Sequence, residues 1–107
     1  MSEAPTINWF GLSGREYKYW IYIIGKTFKE DPGNYIFAKE TQAGYWSPSY
    51  IGETENLNQR LGDHEKEACA RKNGATHIHA HLNSGGEEAR RQEENDLIMK
   101  WKPPCNK

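Results

Sequence analysis

Ser49–His64 reads SYIGETENLNQRLGDH, and this stretch decides the fold. Tyr50, Ile51 and Gly52 form a short strand-like piece that passes through Glu53-Thr54 into a helical pattern. Residues four apart on a helix share a face, so Arg60 and His64 are expected side by side. A phenol, a guanidinium and an imidazole thus converge on one strand-to-helix junction. These groups suit phosphodiester cleavage, which needs a base near the attacking water and a fixed cation on the phosphate. A plainer reading stands beside it. Arg60 could pair on the surface with Asp63, Glu53 or Glu67, while Tyr22 and Tyr50 fill the core.

Working upstream from this junction, Thr41 to Pro48 reads as a loop containing Gly and Pro, and Tyr35 to Lys39 as a strand. Asp31-Pro32-Gly33-Asn34 is a turn signal. Tyr17 to Ile24, YKYWIYII, is aromatic and β-branched, the pattern of a buried strand. Residues 1–16 read as a polar lead-in with an apolar plug at Trp9, Phe10 and Leu12, ending in the turn Ser13-Gly14. Downstream, Thr54 to Lys72 is helical, with Thr54 as N-cap, Leu57, Leu61 and Ala68 inward, and Asn73-Gly74 as the stop. Thr76 to Leu82 alternates, with Ile78, Ala80 and Leu82 on one face and His77, His79 and His81 on the other. Ser84-Gly85-Gly86-Glu87 matches a capping box that opens a last helix, ended near Trp101 by Pro103-Pro104. The order predicts a small α+β domain on a mostly antiparallel sheet, a single domain over 1–107.

With 107 residues the chain can bury one core, and although Val is absent, four Trp, six Tyr and three Phe supply large buried area. The net charge of −1 and the lack of any Lys/Arg block exclude an overtly basic nucleic-acid binder. If the protein acts on DNA, its grip comes from a local patch and is salt-sensitive. Cys69 and Cys105 match no paired ligand spacing and read as one packed thiol and one tail thiol. No segment has the ~20 apolar residues of a membrane span, and no signal peptide is recognisable, so a reducing, cytoplasmic setting without a membrane is expected.

Two further groups of residues could carry chemistry. In the last helix Leu97, Ile98 and Trp101 mark an apolar stripe, and steps of three and four put Glu94 on it. A carboxylate there needs a partner: a cation, an Arg or water. Glu93 points elsewhere, into solvent. The three alternating imidazoles of His77, His79 and His81 could face one Zn²⁺, or could simply line an exposed face of the sheet.

The set of Tyr22, Tyr50, Arg60, His64, Glu94 and Asn106 resembles the GIY-YIG nuclease superfamily. Tyr50-Ile51-Gly52 matches the second signature tripeptide in full, and Trp20-Ile21-Tyr22 stands where the first would lie, with Trp20 in place of its glycine. Arg60 lies ten residues after Tyr50, as the family's arginine does, and His64 follows where several members carry a histidine. Glu94-Asn95-Asp96-Leu97-Ile98 with Lys102-Pro103-Pro104-Cys105-Asn106 is similar to the closing motif. The resemblance covers about residues 17–106.

The resemblance implies a GIY-YIG-like fold of three core strands plus an inserted strand, flanked by helices. It implies a divalent-metal-dependent DNA endonuclease. Tyr50 would be the general base, helped by His64, and Arg60 the phosphate clamp. Glu94 would be the single protein ligand of one Mg²⁺ or Mn²⁺, Tyr22 would orient Tyr50, and Asn106 would tie the tail to the site. DNA would be the substrate, with a partner protein as one possible source of specificity. The alternative is a catalytically inactive nucleic-acid-binding or protein-interaction module on the same scaffold. Residues 26–48 read as an insertion between the signature strands, free to extend a strand, form an arm or join an edge. It could reach substrate through Tyr35, Tyr45 and Trp46, or be a structural embellishment.

Overall fold

The computed structural model describes residues 4–106. Strands β1 (Thr6–Phe10), β2 (Glu16–Ile23), β3 (Gly33–Gln42) and β4 (Tyr45–Thr54) are followed by helices α1 (Leu57–Gly62) and α2 (Glu67–Lys72). Strand β5 (His77–Leu82), helix α3 (Glu87–Trp101) and a 3-10 turn at Pro104–Asn106 come next. The five strands form one sheet in the order β1-β2-β5-β3-β4, with every neighbouring pair antiparallel. The expected α+β class and antiparallel sheet are what the chain adopts.

β3 lies inside the sheet with helices on both sides, which is why its first six residues, Gly33 to Ala38, are all buried. On one face Tyr35, Phe37, Ile78 and Ala80 pack with Leu57 and Leu61 of α1 and Ala70 of α2. On the other, Trp9, Tyr19, Ile36, Ala38 and Ile51 pack with Leu97 of α3. Even and odd positions of each strand therefore serve two separate cores. The aromatic content read from the sequence fills both.

Several local expectations are corrected. The lead-in contains a strand, β1, paired with β2 from Thr6↔Trp20 to Phe10↔Glu16. The loop expected over 41–48 is a tight turn at Ala43-Gly44, with Gly44 at a positive φ of 81°, and β4 resumes at Tyr45. Pro48, which has no N–H to give a ladder, sits at the register shift between Phe37 and Ala38, where a bulge tolerates it. Residues 26–48 are no arm or edge. They hold β3, the direct partner of both β4 and β5.

The helix expected over 54–72 is two helices. Asn56, and not Thr54, is the N-cap of α1, its side chain accepting from the Gln59 N–H at 3.0 Å. A break at 63–66 resets the helical register, so Ala70 is buried while Ala68 is exposed. No Ser84 capping box forms. α3 starts after Gly86 at φ 100°, without a side-chain cap. The buried side of α3 is Arg90, Glu93 and Leu97, while Trp101 is exposed.

Glu93, expected in solvent, is buried: Tyr19 donates to it at 2.5 Å, His81 Nε2 lies 2.6 Å away, and Asn83 donates at 3.3 Å. The three histidines diverge to separate partners. His77 meets Thr76, His79 Nδ1 accepts from the Trp9 indole N–H at 2.9 Å, and His81 meets Glu93. Among the described residues no His, Cys, Asp and Glu cluster could hold a metal as three ligands, so the zinc reading fails.

Cys69 and Cys105, expected as separate thiols, are disulfide-bonded. A disulfide is uncommon in the reducing setting expected from the sequence. Among the described residues no helix is long and apolar enough to cross a membrane. The bond closes a separation of 36 residues and ties α2 to the closing 3-10 turn. Cross-linking a loop of that length removes unfolded-state entropy equivalent to ~4 kcal/mol. Urea denaturation with and without a dithiol reductant is expected to show a loss approaching that size. A Cys69→Ser/Cys105→Ser variant should match the reduced protein and no longer respond to reductant.

Candidate active site

Tyr50 lies on β4, opposite Phe37 of β3, and Gly52 lies opposite Tyr35. A side chain at Gly52 has no room, because its Cβ would meet the Tyr35 hydroxyl at 2.5 Å and the Tyr50 ring at 2.9 Å. The glycine of the Tyr-Ile-Gly motif therefore lets the two phenols approach. Tyr35 and Tyr50 lie with ring centroids 6.2 Å apart and planes inclined by 29°. The imidazole of His64, carried in the corner between α1 and α2, meets Tyr50 edge-on at 5.0 Å and Phe37 at 5.3 Å.

His64 Nε2 is 2.6 Å from the Tyr35 hydroxyl, and its Nδ1 accepts the backbone N–H of Lys66 at 2.9 Å. Burial, with the Arg60 charge adding, lowers the His64 pKa to about 4, so the ring is neutral at pH 7. A neutral ring that accepts at Nδ1 carries its proton on Nε2. His64 therefore donates to Tyr35 and has no free lone pair with which to take a proton. Its ring orients the tyrosine pair.

Arg60 stands on α1 at the edge of this cluster, held by Glu65 in a two-point ion pair at 2.5 and 2.8 Å. None of Asp63, Glu53 or Glu67, the three partners expected from sequence, is used. Burial lifts the pKa of both phenols above 10. Tyr50 adds to the rise at Tyr35 and Glu94 to that at Tyr50, while Arg60 opposes both. Glu94, half-buried on α3, forms no salt bridge among the described residues. Burial first, and then the Glu53 carboxylate, raise its pKa to about 7. Glu53 itself is taken up by Arg90, whose Nε lies 2.9 Å away.

Asn106 closes the edge of β4. Its side chain accepts from the Ile51 N–H and donates to the Ile51 carbonyl, both at 2.8 Å. This places the closing turn beside Tyr50. Asn106 holds the strand, and among the described residues its side chain hydrogen-bonds no other member of the cluster.

Tyr22 is elsewhere. It lies on β2, opposite Ile78 of β5, which lies opposite Phe37 of β3, which lies opposite Tyr50. Three interstrand steps separate it from Tyr50, roughly 14 Å. Its ring packs edge-on against Phe28. The strand next to Tyr50 carries Gly33-Asn34-Tyr35, so Tyr35, and not Tyr22, is the tyrosine that meets Tyr50. Trp20 consequently replaces no glycine. Gly33 supplies the close approach, since a Cβ there would run into the carbonyl of His81. A signal for Tyr35 was present in Pro32-Gly33-Asn34-Tyr35, which also reads as a turn.

No family model matches the sequence, and no curated protein matches it. Solved structures do. The GIY-YIG N-terminal endonuclease domain of UvrC from Thermotoga maritima, as an Asn→Ala point mutant bound to its catalytic divalent cation, superposes with a TM-score of 0.58 at 27% identity. The match covers 72% of this chain and 83% of that one. A Tyr→Phe mutant of the same domain, also cation-bound, matches with a TM-score of 0.56 at 29% identity over 74% and 86% of the two chains. The fold and its signature strand place this chain in the GIY-YIG superfamily.

The tautomer derived for His64 is open to measurement. In ¹⁵N-resolved NMR the His64 ring is expected to show a protonated Nε2 and a bare Nδ1, and to stay neutral from pH 8 down to about 5. A His64 that titrates near the ordinary value of 6.5 would contradict the buried donor geometry.

Proposed function

We propose that this chain is a divalent-metal-dependent DNA endonuclease that hydrolyses phosphodiester bonds. The observation carrying this reading is that Tyr35, Tyr50 and His64 meet beside Arg60, with an ion-pair-free, half-buried carboxylate at Glu94. The cation-bound nuclease domain of the same fold supports it.

In this reading the Arg60 guanidinium holds the scissile phosphate through the N–H groups that Glu65 leaves free, and stabilises charge building on its oxygens. Tyr50 takes the proton from the attacking water. Its phenol is lifted by burial and then by the Glu94 charge, so balancing that charge makes ionisation less costly, while Arg60 continues to lower the pKa against burial. Tyr35, fixed by the His64 donor, stands against Tyr50 and takes the orienting role expected of Tyr22. His64 acts on Tyr35 as a positioning residue, and Asn106 acts likewise on β4.

Glu94 fits a single-carboxylate Mg²⁺ or Mn²⁺ site, being a hard oxygen ligand whose charge lacks a full counterpart. Such an ion, when bound, supplies positive charge next to the phosphate oxygens. The two metals share this ligand chemistry.

Incubating the protein with nicked, branched and duplex DNA plus Mg²⁺ or Mn²⁺ is expected to yield strand cuts. Arg60→Ala and Tyr50→Phe should each lower the rate by about 10²-fold or more, the size seen when a preorganised charge or base is removed. Tyr35→Phe should lower it as well, while Tyr22→Phe leaves kcat near wild type. Binding without turnover would instead favour the inactive module.

A second test uses pH. Because protons compete with the cation for Glu94, Mn²⁺ affinity by calorimetry is expected to rise with pH up to about 7 and to level off above it. The same raised pKa contributes stability to the metal-free fold below the unfolded value of 4.5, and that contribution is lost as pH rises through about 7. Glu94→Gln should abolish the pH dependence of binding together with the binding.

A further inference from the structure

The alternation of β2 puts Lys18, Trp20 and Tyr22 on the face that carries Tyr35 and Tyr50, and Tyr17, Tyr19 and Ile21 on the other. Leu57 and Leu61 of α1 and Ala70 of α2 pack on this face against Tyr35, Phe37, Ile78 and Ala80, and Tyr22 and Phe28 are only partly buried beside them. What remains is a groove of about 400 Å³ lined by Lys18, Trp20, Tyr22, Phe28, Leu57 and Ala80. Trp20, Tyr22 and Phe28 each keep part of their ring in solvent. The Lys18 ammonium lies 5.1 Å from the Trp20 ring and that of Lys26 lies 5.3 Å from the Tyr22 ring. Lys29 joins them where the groove continues along the loop after β2, beside one carboxylate, Asp31.

Register ties this groove to the site. One cross-strand row runs Trp20, Ala80, Tyr35, Gly52, and the next runs Tyr22, Ile78, Phe37, Tyr50. The distance along a row is roughly 14 Å, about four nucleotide rises along a duplex axis at 3.4 Å each and fewer where a strand is extended.

We propose that this groove binds unpaired nucleotides of a DNA strand, their bases against Trp20, Tyr22 and Phe28 and their phosphates on Lys18, Lys26 and Lys29. Exposed aromatic faces offer stacking surface that a duplex, with its bases already stacked, cannot use. Three ammoniums against one carboxylate make the groove a cationic patch on a chain of net charge −1. The preferred substrate is then DNA in which a single-stranded segment adjoins the bond to be cut. That last step rests on the nuclease reading above; the binding itself does not.

The test is fluorescence anisotropy with a labelled 15-nucleotide oligo-dT and a 15-base-pair duplex, both in EDTA, so that no cleavage occurs. Oligo-dT is expected to bind at least tenfold tighter than the duplex. Its affinity should fall with salt at a log–log slope of about −2, the value for three phosphates on a single strand. Lys18→Gln/Lys26→Gln/Lys29→Gln, which changes only exposed side chains, should weaken oligo-dT binding at least tenfold and flatten that slope. Trp20→Ala, checked for folding by circular dichroism, should cost about tenfold.

Equal affinity for duplex and oligo-dT, or a triple variant that binds oligo-dT as wild type does, would overturn the proposal. If DNA is cut in Mg²⁺ while the triple variant still binds normally, the groove assignment fails and the nuclease reading stands. If oligo-dT binding is lost in the triple variant but wild type never cuts DNA, the groove assignment stands and the nuclease reading fails.

Discussion

The buried hydrogen bond between the Tyr35 hydroxyl and His64 Nε2 is the constraint on which the candidate site depends. It joins an inner strand to the corner between two short helices, so it constrains where α1 ends and how the corner turns into α2. A hydrogen bond contributes about 1 kcal/mol net, but leaving either buried partner unmet costs ~1–3 kcal/mol. The bond is therefore more important as a selector of geometry than as a source of stability. Gly52 and the Lys66 backbone N–H are its two accomplices. The first leaves space for the phenol, and the second dictates which nitrogen of the imidazole donates.

The opposite face of the sheet meets a different requirement. α3 packs with a polar line of Arg90, Glu93 and one leucine, and each charge on it is met. Arg90 binds Glu53 of β4, and Glu93 collects Tyr19, His81 and Asn83. Asn34 receives the remaining Asn83 bond and donates to the Arg90 carbonyl. Such a network is stable only when complete, which ties the helix to one orientation on the sheet. The one buried side-chain nitrogen without a hydrogen-bond partner among the described residues, His79 Nε2, lies in a ring 4.6 Å from the Trp46 ring, whose π face can receive its N–H. That fixed orientation leaves Glu94, one position further on, aimed at the β4 edge, where burial and Glu53 keep its charge from being fully matched.

Much of the fold was legible. The strands around Tyr17–Ile24, Tyr35–Lys39, Ser49–Glu53 and Thr76–Leu82 and the last helix all form, because period-two alternation and a proline stop are local signals. β1 was hidden because Trp9 and Phe10 sit in a polar segment and only pairing with β2 makes them a strand. The break at 63–66 was hidden because the helical periodicity of Leu57 and Leu61 carries on into a run of charged residues. Glu93 and Glu94 show the limit most plainly. They are adjacent and chemically alike, and pattern alone selected the second as inward and the first as solvated. Both leave solvent to different extents, and the first more completely, because Tyr19 and His81 arrive from strands distant in sequence.

The sequence by itself determined the class of fold and brought Tyr50, Arg60 and His64 to one strand-to-helix junction, since spacing along one strand, one turn and one helix is a local property. Tertiary structure decided which tyrosine meets Tyr50. Tyr22 and Tyr35 both lie on aromatic strands before the motif, and the one local signal for Tyr35, Gly33-Asn34 ahead of it, reads equally well as a turn. Strand order does: β3 returns directly into β4 through a two-residue turn, and β5 separates β2 from both. It also decided that Cys69 and Cys105 pair, because only the return of the closing turn beneath α2 brings the two sulfurs together.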